Sequence, residues 1–124
     1  MRDYKKYEVW SRSHELTLYI YKEIITQFPK TEQFGLASQI KRAAYSIPLN
    51  IVEGCGRNTD NDFVRFLDMA LGSAHELEYC ILLVYDLGFL NKEKYTEVNE
   101  KANEVKAKLI KLIKSIRKGS IGLS

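Results

Sequence analysis

Apolar residues recur along this chain at intervals of three and four, the spacing of helices laid against a core. No segment reads as a strand. Breaks are expected at Phe28-Pro29-Lys30-Thr31, Gly54-Cys55-Gly56-Arg57-Asn58-Thr59 and Leu87-Gly88-Phe89-Leu90-Asn91. Thr31, Thr59 or Asp60, and Asn91 can each cap a helix start. Asp62 and Glu93 suit a first turn, where a carboxylate meets the positive end of the helix dipole. Helices are therefore predicted over 11–28, 32–56, 60–87 and 92–118, and the short loops between them make neighbours antiparallel. The expected fold class is all-α: an antiparallel up-down-up-down four-helix bundle over residues 1–118, followed by a flexible tail at 119–124.

The first segment gathers Trp10, Thr17, Ile20, Tyr21, Ile24 and Phe28 on one face, with Arg12, Glu15, Glu23 and Thr26 opposite. The fourth sets Val98, Ala102, Val105, Leu109, Leu112, Ile113 and Ile116 against Lys108, Lys111, Lys114 and Lys118. The middle pair are apolar over more of their circumference than a bundle corner needs. The third segment carries a broad stripe that includes Leu71 and Leu82. The second has a main stripe through Ile40, Ala44, Ile47 and Ile51 and a separate one of Tyr45, Leu49 and Val52. These two-sided surfaces predict contact with another subunit, with Tyr45, Leu49, Val52, Leu71 and Leu82 as candidate interface residues. Pro48 falls inside the second helix and removes the donor to Ala44, so a bend or loosening is expected there.

With 124 residues, 45% hydrophobic and 28% charged, the chain has the size and composition of one globular domain. The N-terminal Met1-Arg2-Asp3-Tyr4-Lys5-Lys6 opens no uninterrupted apolar run, so neither a signal peptide nor a membrane span is expected and a cytoplasmic location follows. Cys55 and Cys80 lack metal-type spacing and read as structural thiols, Cys55 as the more exposed. The formal net charge is only +3, but it is unevenly placed. Residues 92–118 hold nine of the nineteen basic side chains and four of the sixteen acidic ones, an excess of five positive charges against two negative elsewhere.

The run Phe34-Gly35-Leu36, Gln39-Ile40-Lys41-Arg42-Ala43-Ala44, Ser46-Ile47-Pro48-Leu49-Asn50-Ile51 and Glu53-Gly54-Cys55-Gly56-Arg57 resembles the four-helix-bundle proteins encoded in intervening sequences of bacterial 23S ribosomal RNA genes. Phe63, Arg65-Phe66-Leu67, Ala70, Gly72-Ser73, Glu76-Leu77, Trp10 and the Phe28-Pro29 turn extend the resemblance over roughly residues 9–90. Lys41, Val52 and Ala74 depart from the family's usual residues, and the fourth helix matches only in its amphipathic character. That family is similar in turn to the accessory protein of diversity-generating retroelements, a basic, barrel-shaped homopentamer associated with nucleic acid and a reverse transcriptase. The resemblance implies a homopentamer.

Two arrays of residues carry candidate chemistry. Lys106, Lys108, Lys111, Lys114, Arg117 and Lys118 form a helical face without an acidic residue, which either tracks phosphates by counterion release or is a solvated surface. Arg42, Arg57 and Arg65 extend it if assembly brings them to the same side. The polar ladder Gln39, Arg42, Ser46, Asn50, Glu53 and Arg57 reads either as a recognition strip or as a hydrogen-bonded layer. In that layer Glu53 pairs with Arg57 or Arg42, and Asn50 reaches the backbone freed by Pro48. Gly72 and Ser73 read as small residues permitting close helix packing. The residues support no catalytic centre, metal site or cofactor. His14 and His75 lack a Glu three residues earlier, so the paired Glu-x-x-His pattern of di-iron bundles is missing. His14 reads as a core or rim imidazole, and His75, Glu76 and Glu78, as close neighbours on one helix, do not face one point. The expectation is a non-enzymatic homo-oligomer that binds RNA or DNA. The alternative is a scaffold that presents surfaces to a protein partner such as a nucleic-acid enzyme.

Overall fold

The computed structural model describes residues 2–123, with side chains described through Gly119. It is all-helical: α1 (Glu8–Tyr19), α2 (Leu36–Cys55), α3 (Asp60–Asp86) and α4 (Lys92–Leu123), with no strand among the described residues. α3 packs on both α2 and α4, and α1 packs on both as well. The pairs Glu78–Lys106 and Asp68–Arg117 join α3 to α4 in opposite sequence order, as Glu8–Lys108 and Arg12–Glu104 join α1 to α4.

Helix boundaries follow the local capping chemistry where a side chain can reach. At α3 the Thr59 hydroxyl accepts from the Asp62 amide at 3.1 Å, and at α4 the Asn91 side-chain oxygen accepts from the Lys94 amide at 2.8 Å. Thr31 makes no such cap. Lys30–Glu32 form a 3-10 turn, and α2 begins only at Leu36, four residues later than expected, after Gly35. Phe34 is 98% exposed, so nothing apolar ties this turn to the core before Leu36 and the buried Ala37. α4 continues to Leu123, through most of the segment read as a tail, while Ser124 lies outside the described residues.

The first helix starts earlier than expected and ends differently. A 3-10 turn at Tyr4–Lys6 leads into α1 at Glu8, and after Tyr19 the chain passes through a π-helical turn, Ile20–Ile24, and a 3-10 turn, Ile25–Gln27. A π turn holds an extra residue. It lets Ile20, Ile24 and Ile25 all point inward and leaves Tyr21, expected on the core face, exposed. Val9, Ser13 and Leu16 form the rest of the buried face.

α2 crosses Pro48 without a break in its helical run. The Ala44 carbonyl, which Pro48 cannot serve, lies 3.2 Å from the Thr17 hydroxyl of α1. That hydroxyl is also 2.8 Å from the Ser13 carbonyl, but the Ser13 carbonyl sits within a regular helix and Ala44's is the one lacking a backbone donor. Asn50, expected in this role, instead donates to the Ser46 carbonyl at 2.8 Å.

The close contact between helices is at Gly54 and not at Gly72. A β-carbon at Gly54 would lie 2.9 Å from Phe66 Cβ and 3.0 Å from Phe63 Cδ1, whereas one at Gly72 would meet nothing within 4 Å. Cys55 beside it is buried, contrary to the partial exposure expected.

Candidate nucleic-acid interface

The six cations of the α4 face divide into two groups. Lys106 lies 2.6 Å from Glu78, Lys108 lies 3.0 Å from Glu8, and Arg117 lies 2.6 Å from Asp68. α1 and α3 thus supply the carboxylates that α4 lacks, and Lys108 holds the Glu8 carboxyl below the usual carboxylate range by hydrogen bonding and charge. Lys111, Lys114 and Lys118 have no carboxylate partner among the described residues, and Lys111, Lys114 and Lys118 are all exposed. Their spacing of three and four places them within roughly 60° of one another around the helix, one strip of three charges.

Two of the three additional arginines gather near this end of the molecule. The Arg57 and Arg65 guanidiniums lie 4.5 and 4.9 Å from the centre of the Phe66 ring, and Arg65 also approaches Asp62 at 3.6 Å. Arg117 reaches Asp68, about one helical turn along α3 from Arg65. Arg42 stands apart, roughly 20 Å up α2 from Arg57 at 1.5 Å per residue. Arg2 joins the cluster unforeseen by sequence reasoning. Its guanidinium pairs with Asp60, donates to the Arg57 carbonyl at 2.9 Å and lies 4.4 Å from the Phe63 ring centre. Only the folded chain brings residue 2 to residues 57–63, so no local pattern announced it.

The polar ladder is not a single network. Gln39 donates to Glu76 across the α2–α3 contact, Ser46 donates to the Arg42 carbonyl at 2.7 Å, and Asn50 to Ser46 as above. Glu53 forms no ion pair with Arg42 or Arg57, and Arg57 turns to Phe66 instead. Short polar side chains at these positions are therefore spent on their own helix.

Of the interface candidates, Tyr45, Leu49 and Leu82 are exposed, and Val52 and Leu71 are half-buried. Met69 and Tyr79 are further exposed apolar side chains that the stripes did not single out. His14, expected towards the core, is exposed and stacks on Trp10 with ring centres 5.1 Å apart. Glu76 and Glu78 diverge to Gln39 and Lys106, leaving His75 without either.

No helix among the described residues is long and apolar enough to cross a membrane. No curated protein matches the chain. Among solved structures, it is similar to a protein of unknown function from the S23 ribosomal protein family of Bacteroides thetaiotaomicron VPI-5482. The two are 29% identical, the likeness covers 86% of this chain and 98% of the other, and the TM-score is 0.79. Residues 5–111 match the 23S rRNA-intervening sequence protein family, a span that takes in α1 to α3 and ends at Lys111, short of Lys114, Arg117 and Lys118. With a match over most of its length, this chain belongs to the 23S rRNA-intervening sequence protein family.

Proposed function

We propose that this protein is a non-enzymatic, cytoplasmic nucleic-acid-binding protein built as an antiparallel up-down-up-down bundle and assembled as a ring-like homo-oligomer. The observation that carries the reading is the strip of Lys111, Lys114 and Lys118, exposed and unpaired while its neighbours on the same helix are neutralised by carboxylates of α1 and α3. Exposed ammonium groups without partners are the ones whose counterion exchange with phosphate gains entropy. A closed ring repeats the strip, so weak phosphate contacts add through multivalency. The exposed Tyr45, Leu49 and Leu82 and the half-buried Val52 and Leu71 supply apolar surface for subunit contact. Five subunits is the number suggested by likeness to the retroelement accessory protein.

The test is fluorescence anisotropy with labelled structured RNA and duplex DNA at low and near-physiological salt, for the native chain and for K111E/K114E/K118E. Saturable binding that weakens with salt is expected. The variant should lose that binding, retain its oligomeric state in sedimentation, and flatten the log–log salt slope by about 2 to 3 through the loss of three phosphate contacts. Equal binding by native chain and variant would reject the strip. Absence of binding at low salt would favour the scaffold reading, in which the oligomer presents its surfaces to a protein partner such as a reverse transcriptase.

A further inference from the structure

A groove of about 490 Å³ runs between α3 and α4. Its α4 wall carries Asn99 and Asn103, one turn apart, and its α3 wall carries His75 and Tyr79, also one turn apart. Tyr95 lies at one end of the α4 wall, its ring stacked on Tyr85 with centres 4.2 Å apart. Lys106 lies at the other, fixed by Glu78 at 2.6 Å. Tyr79 is 61% exposed, an aromatic face turned to solvent. Neither asparagine amide is spent on a hydrogen bond elsewhere in the described chain, in contrast to Asn50 and Asn91, which are both engaged.

The geometry points to this groove as a seat for an unpaired adenine of a single-stranded or looped nucleic acid. The argument rests on the nucleic-acid reading above and assigns to a second site what the lysine strip cannot supply, namely discrimination between bases. An asparagine amide offers one acceptor and two donors in a plane and pairs with the adenine N6 and N7 edge in bidentate fashion. Exposed aromatic rings stack on bases that a duplex would hide. The volume lies in the range of small-ligand sites. The groove is also continuous with the proposed phosphate track. The α4 face bearing Asn99, Asn103 and Lys106 continues after two further turns into Lys114, about 16 Å from Asn103 at 1.5 Å per residue. A strand with one base in the groove can lay its following phosphates along Lys106 and Lys114.

The experiment compares eight-nucleotide labelled oligo(A), oligo(C) and oligo(U), and oligo(dA), for the native chain, N99L/N103L, Y79A and K111E/K114E/K118E. The native chain is expected to hold oligo(A) at least ~5-fold tighter than oligo(U), the lower bound for one bidentate base contact. N99L/N103L should lose that preference while keeping the native salt slope, and Y79A should weaken all four by ~5-fold or more through lost stacking. Comparison of oligo(A) with oligo(dA) separates RNA from DNA as the source of the base. Equal binding of all oligonucleotides, or a preference that survives in N99L/N103L, overturns the groove and leaves the lysine strip standing. A Y79A chain that changes oligomeric state but binds oligo(A) normally also overturns it, because the groove is then a contact with a second copy. If no oligonucleotide binds, the groove and the nucleic-acid reading fall together.

Discussion

At the scale of single residues, the hydroxyl of Thr17 serves a carbonyl on a different helix. The Ala44 carbonyl lacks its usual donor because Pro48 has no N–H, and Ala44 itself is fully buried. An unsatisfied buried carbonyl costs about 1–3 kcal/mol. Thr17→Val is expected to destabilise the protein by that amount in urea unfolding. Pro48→Ala restores a backbone donor, so Thr17→Val should cost clearly less in that background. Equal costs in the two backgrounds would show that the hydroxyl does something else. The sequence showed the missing donor but named Asn50 as its substitute, because Asn50 was near in the chain. The actual partner is 27 residues away, and only packing of α1 on α2 supplies it. Gly54 and Gly72 teach the same lesson. Either could have marked a close approach, and it is Gly54 that faces two phenylalanine side chains.

At the scale of elements, the two expected caps that involve loop side chains hold, and the one at Thr31 does not. The Thr59 cap satisfies an amide at the start of a 27-residue helix. Thr59→Ala is expected to lower stability by about 1 kcal/mol, read as a lower urea midpoint with an unchanged slope. Thr31→Ala should be close to neutral in the same assay. The helical period announced the buried faces of α3 and α4 well, because those helices are regular. It served α1 less well because a π turn at Ile20–Ile24 shifts the phase of every residue after it, and no single residue type encodes such a turn. The lysine face was legible as a charge pattern on α4. Which of its members stay free was not, since the carboxylates of Glu8, Asp68 and Glu78 come from other helices.

At the scale of the whole molecule, burial raises the titration of both thiols. Cys55 and Cys80 are shifted up from an ordinary 9.0, chiefly because desolvation penalises the thiolate. Tyr7 and Tyr19 are raised as well, first by burial and then, for Tyr19, by its hydrogen bond to Glu97. The folded chain therefore keeps protons that the unfolded chain releases. The stability contributed is complete below about pH 9 and declines as pH rises past the unfolded thiol value. Urea midpoints should fall between pH 8 and pH 10, and a C55A/C80A chain should fall less steeply over that interval. A slope unaltered by removing both thiols would assign the decline to other groups.

Lys111, Lys114 and Lys118 sit towards one extremity of α4, and Arg2, Arg57 and Arg65 lie near the same pole of the molecule. The opposite half of α4 carries Glu93, Glu97, Glu100 and Glu104 among three lysines. Each subunit is accordingly an electric dipole. In the field of a polyanion it experiences a torque as well as an attraction, so it is turned basic pole first while still several Debye lengths short of contact at low ionic strength. Added salt then acts twice, by weakening the pull and by randomising the angle of approach, and its effect should appear in how fast complexes form more than in how long they last.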